Sequence, residues 1–473
     1  MAHENVIEMR DITKVFGEFV ANDKINLQLR KGEIHALLGE NGAGKSTLMN
    51  MLAGLLEPTS GEIAVNGQVV KLDSPSKAAS LGIGMVHQHF MLVEAFTVAE
   101  NIILGSEITK NGVLDIAEAT KEIKALSERY GLAVDPAAKV ADISVGAQQR
   151  VEILKTLYRG ADILIFDEPT AVLTPSEIDE LMAIMKNLVK EGKSIILITH
   201  KLAEIKQVAD RCAILNRGKL IDILDVKETS AKTMANLMVG REVNFTVEKP
   251  EAKYGKTVLE VQNLTVKNRD GFSVVKNVSF SIRSGEIFAI AGVAGNGQVE
   301  IADAIAGLVK ISEGKVILNG KDISLESIRK RILEGISYIP EDRQDVGLVM
   351  DFSLEDNLVL KTYKNERFSK KGILSHKAIR ENGEELIAKY DIRSGQGCQT
   401  IVRSMSGGNQ QKAIIGREIE LDSELMIFVQ PTRGLDIGAI ENIHKQIIAE
   451  RNAGKAILLI SLELDEIMNC ADT

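Results

Sequence analysis

Cysteine is scarce in this chain, and its spacing argues against two kinds of site. The 473 residues include three cysteines, Cys212, Cys398 and Cys470, which lie far apart and form no CxxC pair. A disulfide framework or a cysteine zinc site would need closer or paired cysteines. We therefore expect all three to be structural residues in a reducing compartment.

Long apolar runs are also missing. No stretch approaches the roughly 18 residues that a membrane-crossing helix needs. The start of the chain, MAHENVIEMR, has no secretory apolar region. The sequence therefore predicts a cytoplasmic protein that does not itself cross the membrane.

The chain has no excess of positive charge. Lys and Arg number 57 against 66 Asp and Glu, which gives a formal net charge of −9. This balance supplies no global attraction to nucleic acid, so we expect no nucleic-acid partner. Hydrophobic residues at 45% and charged residues at 26% are typical of a soluble globular protein. The length exceeds that of one ordinary domain, so two or more hydrophobic cores are expected.

The chain is an internal repeat. The segment GEIHALLGENGAGKST begins at Gly32, and GEIFAIAGVAGNGQVE begins 253 residues later, at Gly285. Further on, Pro169 matches Pro431 with an offset of 262, so the second copy carries an insertion between these landmarks. We predict a first domain over 1–246, a linker over 247–256 and a second domain over 257–473. Because Thr473 matches Arg211, after which the first copy continues, we expect the second domain to be truncated at its C-terminus.

Short apolar runs, such as residues 34–38 and 163–166, alternate with helical patterns in each copy. Leu48, Met51 and Leu52 fall on one face of a helix directly after the glycine-rich segment. This alternation predicts an α/β fold with a mostly parallel sheet and helices on both of its faces. Residues from about 92 to 160 and from about 354 to 420 are more helical and predict a subdomain in each copy.

The glycine-rich segment of the first copy fits the pattern GxxxxGK[ST], and it lies between a strand and a helix as that motif requires. Its glycines would let backbone N–H groups wrap a phosphate chain at the helix N-terminus. Lys45 is predicted to neutralise the β- and γ-phosphates, and Ser46 to ligate Mg²⁺. The ATP-binding residues predicted in this loop are Gly39, Glu40, Asn41, Gly42, Ala43, Gly44, Lys45, Ser46 and Thr47.

Two carboxylates end an apolar strand at Asp167 and Glu168. An open α/β sheet places its ligand chemistry at such strand ends. We predict that Asp167 contributes to the Mg²⁺ site and that Glu168 is a general base that polarises the attacking water.

Each copy also has a serine and glycine segment before a helix: Ser144 with Gly146, and Ser406 with Gly407 and Gly408. Such a start can hold an anion, although an ordinary helix cap has the same pattern. Both segments lie about twenty residues before the strand that carries the Asp-Glu pair or its counterpart, which favours the anion site.

Taken together, these motifs resemble the ABC ATPase family over nearly the whole chain, twice. The resemblance implies a P-loop NTPase fold in tandem, each copy with a parallel core, an antiparallel β element and a helical subdomain. It also implies that Gln88 senses Mg²⁺ and faces a membrane partner, that His200 contacts the γ-phosphate, and that Phe16 stacks on adenine. A lone Phe such as Phe16 is, however, more often a core residue.

The second copy has lost this chemistry position by position. Gln298 and Val299 stand where the first copy has Lys45 and Ser46. Gln298 cannot supply a charge, and Val299 cannot ligate a metal. The other replacements are Glu341 for Gln88, Leu462 for His200, Val429 and Gln430 for Asp167 and Glu168, and Arg269 for Phe16. We predict that this copy does not hydrolyse ATP with its own loop.

The serine and glycine segments, 144–148 and 406–410, are called the signatures below. The second copy keeps an unaltered signature and Asp436. The first copy has a weaker signature, with Val145 and Ala147, and has Thr174 at the position of Asp436. A head-to-tail arrangement explains this sorting, because one nucleotide would then lie between the first loop and the second signature. The second-copy residues predicted to bind this ATP are Ser406, Gly407, Gly408, Gln410 and Asp436. The predicted degenerate site consists of Gly292, Gly297, Gln298, Val299, Ser144 and Gly146.

The segments PTRGLD and YIPEDR resemble the double-domain ATPases of bacterial carbohydrate and nucleoside importers, and GVAGNGQVE is closer to the nucleoside branch. This resemblance implies two membrane-spanning permease subunits, an extracellular substrate-binding lipoprotein and a place on the cytoplasmic face of the membrane. It also implies no direct contact with the solute. The alternatives are a monosaccharide importer ATPase, a soluble twin-ABC factor of ribosomes or DNA, and a nucleotide-gated regulator without turnover.

Overall fold

Two units divide the chain, Met1–Val243 and Asn244–Thr473. The computed structural model describes residues 4–87, 90–110, 112–170, 173–243, 247–268, 270–293 and 295–473. Lys249 and Pro250, in the stretch predicted to be a linker, hydrogen-bond with Ala471 and Arg451 of the second unit.

The first unit is built from short strands and helices in alternation. Its strands are β1 (Asn5–Phe16), β2 (Phe19–Arg30), β3 (Ile34–Gly39), β4 (Ser60–Val65), β5 (Gln68–Val70), β6 (Ile83–Val86), β7 (Thr109–Lys110), β8 (Val113–Leu114), β9 (Ile163–Asp167), β10 (Ser194–Ile198), β11 (Arg211–Asn216) and β12 (Lys219–Asp225). Its helices are α1 (Lys45–Leu52), α2 (Pro75–Ser80), α3 (Val98–Ile103), α4 (Ile116–Tyr130), α5 (Val145–Tyr158), α6 (Pro175–Lys190), α7 (Leu202–Val208) and α8 (Ala231–Val239).

A six-stranded sheet of order β12-β11-β3-β10-β9-β6 forms the centre of this unit. Strands β11, β3, β10, β9 and β6 are parallel, and every residue of β3 and β10 is buried. Strands covered on both faces need such continuous apolar runs. A separate antiparallel sheet has the order β2-β1-β4-β5. The core lies between the two sheets and α1, with Ile7, Leu27, Leu48 and Ile196 in one cluster.

The second unit repeats this plan. Its strands are β13 (Thr257–Lys267), β14 (Ser273–Arg283), β15 (Ile287–Ala291), β16 (Ile311–Leu318), β17 (Lys321–Asp322), β18 (Ile336–Ile339), β19 (Ser369–Lys370), β20 (Ile373–Leu374), β21 (Leu425–Val429) and β22 (Ala456–Ser461). Its helices are α9 (Gln298–Ala306), α10 (Ile328–Leu333), α11 (Leu354–Leu358), α12 (His376–Lys389), α13 (Gly407–Ile419), α14 (Ile437–Asn452) and α15 (Leu464–Cys470).

Its parallel sheet has the order β15-β22-β21-β18, which matches β3-β10-β9-β6 of the first unit. Its antiparallel sheet, β14-β13-β16-β17, matches β2-β1-β4-β5. The predicted helical stretches contain α3, α4 and α5 in one unit and α11, α12 and α13 in the other, with a small hairpin in each. Each unit therefore has a parallel core, an antiparallel sheet and a helical part, as the sequence predicts.

The three cysteines are buried and carry free thiols. Burial raises the pKa of the Cys212 thiol to about 12, so this thiol stays protonated and unreactive at neutral pH. Across the described ranges, the helices are all too short or too polar to span a bilayer.

Candidate nucleotide site

Four neighbouring strands of the first unit end at the same edge of its parallel sheet. Lys45 lies in the segment after β3, His200 follows β10, Asp167 ends β9, and Glu168 comes directly after it. Since β3, β10 and β9 are adjacent and parallel, their carboxyl ends bring these side chains together. Gln88, which follows β6, lies outside the described residues, as does Arg269 of the second unit.

The glycines of the loop are required by close backbone contacts. Gly44 has φ 98°, and a Cβ there would lie 2.5 Å from the Ala21 carbonyl oxygen. A Cβ at Gly39 would lie 2.5 Å from the Leu215 carbonyl oxygen. Only glycine combines this left-handed conformation with so close an approach.

Lys45 begins α1 and is 6% exposed. Its Nζ donates to the carbonyl oxygens of Gly39, at 2.6 Å, and Glu40, at 3.0 Å. These bonds hold the ammonium group over the loop, beside the positive end of the α1 dipole. Ser46, next on this first turn, is exposed.

Asp167 is partly buried beside a second carboxylate. Burial, together with the charge of Glu168, raises its pKa to about 6, although Lys45 acts in the opposite direction. Lys45 therefore does not fully offset the free-energy cost of ionising Asp167, and a bound cation would stabilise the ionised carboxylate.

Glu168 has the left-handed φ of 45°, and its N–H donates to the Ile198 carbonyl oxygen at 3.0 Å. This conformation turns its carboxylate toward His200, with 3.2 Å between Oε1 and Nδ1. Burial would raise the pKa of Glu168, but the hydrogen bond with His200 and the charges of His200 and Lys45 hold it below its ordinary value. The carboxylate is thus ionised at neutral pH and can accept a proton.

Asp167 and the Ser46 hydroxyl offer the oxygen ligands that Mg²⁺ prefers. In the described ranges, no group of three or more His, Cys, Asp and Glu side chains could hold a metal ion. These residues therefore fit a Mg²⁺ ion that takes its remaining ligands from phosphate oxygens and water, which is how this ion usually binds.

The second unit keeps the backbone of this site but not its chemistry. Gly297 has φ 93° and precedes α9 as Gly44 precedes α1. Gln430, with φ 47°, donates its N–H to the Ile460 carbonyl oxygen at 2.7 Å, as Glu168 does to Ile198. The Gln298 amide lies inside the loop, where Nε2 donates to the Val293 carbonyl oxygen at 3.0 Å.

The other replacements remove the serine and histidine side chains and put a carboxylate, Glu341, in place of Gln88. A Cβ at Gly292 would lie 1.9 Å from Nε2 of Gln298, so a glycine makes room for that amide. Val299 packs against the apolar core of the unit, and Leu462 is 36% exposed. Glu341 forms an ion pair with Arg433.

Residues 22–171 and 275–433 match the family model described as ABC transporter. The chain belongs to the ABC transporter family. Proteins of this family bind ATP. The predicted duplicated P-loop ABC ATPase fold is confirmed.

Several ABC proteins are similar to this one over more than nine tenths of their length. The nucleoside import ATP-binding protein NupA of Lactococcus lactis is 58% identical, over 100% of this chain and 93% of that protein. The guanosine import ATP-binding protein NupO of Bacillus subtilis is also 58% identical, over 99% and 92%. A ribose/galactose/methyl galactoside import ATP-binding protein of Geobacillus kaustophilus is 38% identical, over 100% and 93%.

A solved archaeal ribosome recycling factor, in complex with a ribosomal stalk protein, is 18% identical, with a TM-score of 0.63. The match covers 98% of this ABC chain and 86% of that chain. At this level of identity the likeness shows the fold alone.

Within the ABC signature segments, the structure gives one predicted ATP-binding residue a different role. Gln410 is 2% exposed, and its Nε2 donates to the carbonyl oxygens of Val402 and Met405. Gln148 makes the matching bonds to Val140 and Ile143 in the first unit. The Gln410 side chain is turned inward and supports the signature loop, so it does not face a nucleotide.

Two other residues predicted to bind ATP are Phe16, which is exposed, and Asp436, which lies at the start of a helix. Phe16 ends β1 and is 47% exposed, with Nζ of Lys14 5.2 Å from its ring centroid. It is therefore not a core residue, and adenine stacking stays a prediction.

Asp436 caps α14 by accepting the Ala439 N–H at 2.8 Å. Its predicted ATP contact also stays a prediction.

Glu204, on α7, was missed by the sequence reasoning. This carboxylate is 3% exposed and accepts hydrogen bonds from the hydroxyls of Thr170, at 2.5 Å, and Thr199, at 2.8 Å. It thereby ties the segment after Glu168 to the residue before His200. An acidic residue on a short helix carries no sequence signal for such a contact.

Proposed function

We propose that this chain is the ATP-hydrolysing subunit of a nucleoside importer. The observation that carries this proposal is the 58% identity, over the whole chain, to two nucleoside import ATP-binding proteins. The sugar import relative is 38% identical over the same span. The site geometry supports ATP hydrolysis independently, because the first unit holds a lysine over its glycine loop and an ionised carboxylate at one sheet edge.

In this mechanism the glycine loop holds the phosphates of ATP, and Lys45 turns from its loop carbonyls to neutralise the β- and γ-phosphates. Glu168 accepts a proton from the attacking water. His200 contacts the γ-phosphate and orients Glu168. Ser46, Asp167 and Gln88 would hold Mg²⁺, which when bound neutralises charge on the phosphates.

In our proposal, Ser406 and Gly408 of the second unit complete the binding site of the γ-phosphate. The sorting of intact residues supports this arrangement, since the first unit keeps Lys45 and Glu168 while the second keeps the unaltered signature. ATP then favours the joined form of the two units because its γ-phosphate is bound from both sides. Hydrolysis removes that link.

The loop of the second unit, with the signature of the first, forms a site without turnover. Gln298 carries no charge, Val299 has no oxygen ligand, and Gln430 cannot act as a base.

The importer relatives suggest the partners. We propose two membrane-spanning permease subunits, an extracellular lipoprotein that delivers the solute, and a place for this chain on the cytoplasmic face. The chain itself would touch neither the solute nor nucleic acid.

Uptake of labelled nucleosides and of ribose, in cells with and without this gene, tests the proposal. We expect nucleoside uptake to fall without the gene, to be restored by the wild-type chain, and not to be restored by Glu168→Gln. Loss of ribose uptake alone would favour the monosaccharide importer, whose support is the 38% identical relative. Copurification with ribosomes in place of membrane proteins would contradict both importers.

A further inference from the structure

The segment around the small hairpin of the second unit is basic, although the chain as a whole is acidic. Residues 361–377 contain six Lys and Arg residues and one acidic residue, which gives a formal net charge of +5. The hairpins β19–β20 and β7–β8 pair in the same way, so the matching residues of the first unit are 101–117. These contain one Lys and two acidic residues, for a net charge of −1. The positive charge is therefore particular to the second hairpin.

Half of these basic residues are free of ion pairs. Lys364, Lys370 and Lys371 are exposed, and within residues 295–473, all of which the structure describes, no carboxylate pairs with them. The acidic residue of the segment, Glu366, is also exposed and offsets part of their charge. The other three basic residues pair with carboxylates outside the segment: Lys361 with Glu418, Arg367 with Glu385, and Lys377 with Glu381.

The hairpin holds an apolar side chain beside two of the free lysines. Ile373 pairs with Lys370 across the hairpin and is 76% exposed. Between them, Lys371 and Gly372 have φ of 49° and 82°, and positive φ at both residues is typical of the two-residue turn that fits the twist of paired strands. Phe368, directly before the hairpin, is buried in a small apolar cluster. The hairpin is therefore anchored at its base and exposes isoleucine and lysine together at its tip.

This combination fits the surface of an anionic bilayer. Acidic lipid headgroups attract clustered lysines, each of which is worth about fivefold in affinity near the surface. An aliphatic side chain can enter the boundary between headgroups and acyl chains. The cytoplasmic loops of membrane proteins carry an excess of Lys and Arg, so they would repel the hairpin. An aliphatic tip also offers no ring on which a nucleic-acid base could stack.

We propose that the second hairpin contacts the anionic lipid surface of the cytoplasmic leaflet, with Lys370 and Lys371 against the headgroups and Ile373 inserted among them. The first hairpin also exposes an apolar side chain, Val113, but its segment lacks the positive charge. The choice of this leaflet rests on the proposed function, in which the chain lies on the cytoplasmic face of the membrane. The lipid contact would orient the second unit against the bilayer.

Co-sedimentation of the full-length chain with phosphatidylcholine vesicles, prepared with and without phosphatidylserine, tests this contact. We expect binding only in the presence of phosphatidylserine, and we expect it to weaken as salt is raised, because salt screens exposed charges. Lys370→Gln with Lys371→Gln should weaken binding about 25-fold, at about fivefold for each lysine. Ile373→Ser should weaken binding about tenfold without changing its salt dependence, because it removes apolar burial and no charge.

A matched control removes the same charge elsewhere. Lys186 and Lys190 are exposed on α6, and Lys186→Gln with Lys190→Gln should leave vesicle binding unchanged. The hairpin variants should keep the Tm and the ATPase activity of the wild-type chain in solution. Equal binding to both kinds of vesicle, or an equal loss from the hairpin pair and the α6 pair, would overturn the inference. Hairpin variants that bind vesicles normally but no longer copurify with permease subunits would also overturn it, since a protein would then occupy this surface.

Failure of this inference is distinguishable from failure of the proposed function. A chain that restores nucleoside uptake but does not bind phosphatidylserine vesicles contradicts the lipid contact alone. Nucleoside uptake that is unaffected by loss of the gene contradicts the proposed function itself.

Discussion

Replacement of Asp167 by Asn should stabilise the protein while it removes activity. The pKa of Asp167 is raised from 3.8 to about 6, chiefly by burial and then by Glu168. A carboxyl with a raised native pKa favours folding in its protonated form, and this contribution is lost as pH rises through about 6. Asn resembles the protonated carboxyl and never ionises, but it is a weaker ligand for Mg²⁺.

The size of the effect follows from the pKa shift. About two pKa units correspond to about 3 kcal/mol at pH 8, where Asp167 is fully ionised. The side chain is partly exposed, so screening by solvent lowers the expected gain to about 1–2 kcal/mol. For a unit of this size that gain raises Tm by about 3–6 °C. At pH 5, where the native carboxyl is mostly protonated, about half of the gain should be gone.

Thermal unfolding of the wild-type chain and Asp167→Asn, without nucleotide, at pH 5, 6.5 and 8 measures this difference. Glu100→Gln is a control of opposite sign, because the hydrogen bonds from Thr97 hold the pKa of Glu100 below its ordinary value. This control should lose stability at pH 8. A Tm difference for Asp167→Asn that does not change with pH, or a lower Tm at pH 8, would refute the reasoning.

Four further substitutions have defined outcomes. Glu168→Gln should keep ATP binding, measured by equilibrium dialysis, and lose phosphate release, while Gln430→Ala should change turnover little; comparable losses would mean that the wrong unit has been assigned as active. Glu204→Ala leaves two buried threonine hydroxyls without their acceptor and should cost about 2–3 kcal/mol in urea unfolding; an unchanged midpoint would contradict this. Gly44→Ala should abolish ATP binding, because its Cβ would lie 2.5 Å from the Ala21 carbonyl oxygen at φ 98°; wild-type affinity would show that the loop can adapt.

The sheet edge could be predicted from sequence because its signals are local. The apolar runs at 34–38 and 163–166 became β3 and β9, and the residues after them supplied the glycine loop and Glu168. The internal repeat then predicted the matching elements of the second unit. The alternation of strands and helices predicts a parallel sheet, but it does not fix the order of the strands.

The parts that could not be predicted depend on side-chain direction or on contacts between distant residues. Gln410 faces inward, but successive helical positions point to different sides, and the motif does not tell which of its residues does so. Glu204 meets Thr170 across 34 positions. The left-handed φ of Glu168 accompanies the hydrogen bond from its N–H to the Ile198 carbonyl oxygen of the neighbouring strand. No residue pattern in the sequence predicts that bond.

The left-handed turns at Gly297 and Gln430 have a consequence for how the two units came to differ. The backbone conformation at these two positions is nearly the same as at Gly44 and Glu168 of the first unit, which keeps the ionisable side chains that the second unit has lost. The second unit therefore lost its ionisable side chains by substitution, without a change of backbone conformation at these positions. By the same reasoning, Gln298→Lys, Val429→Asp and Gln430→Glu together would return ionisable groups to a frame that still has the shape to receive them.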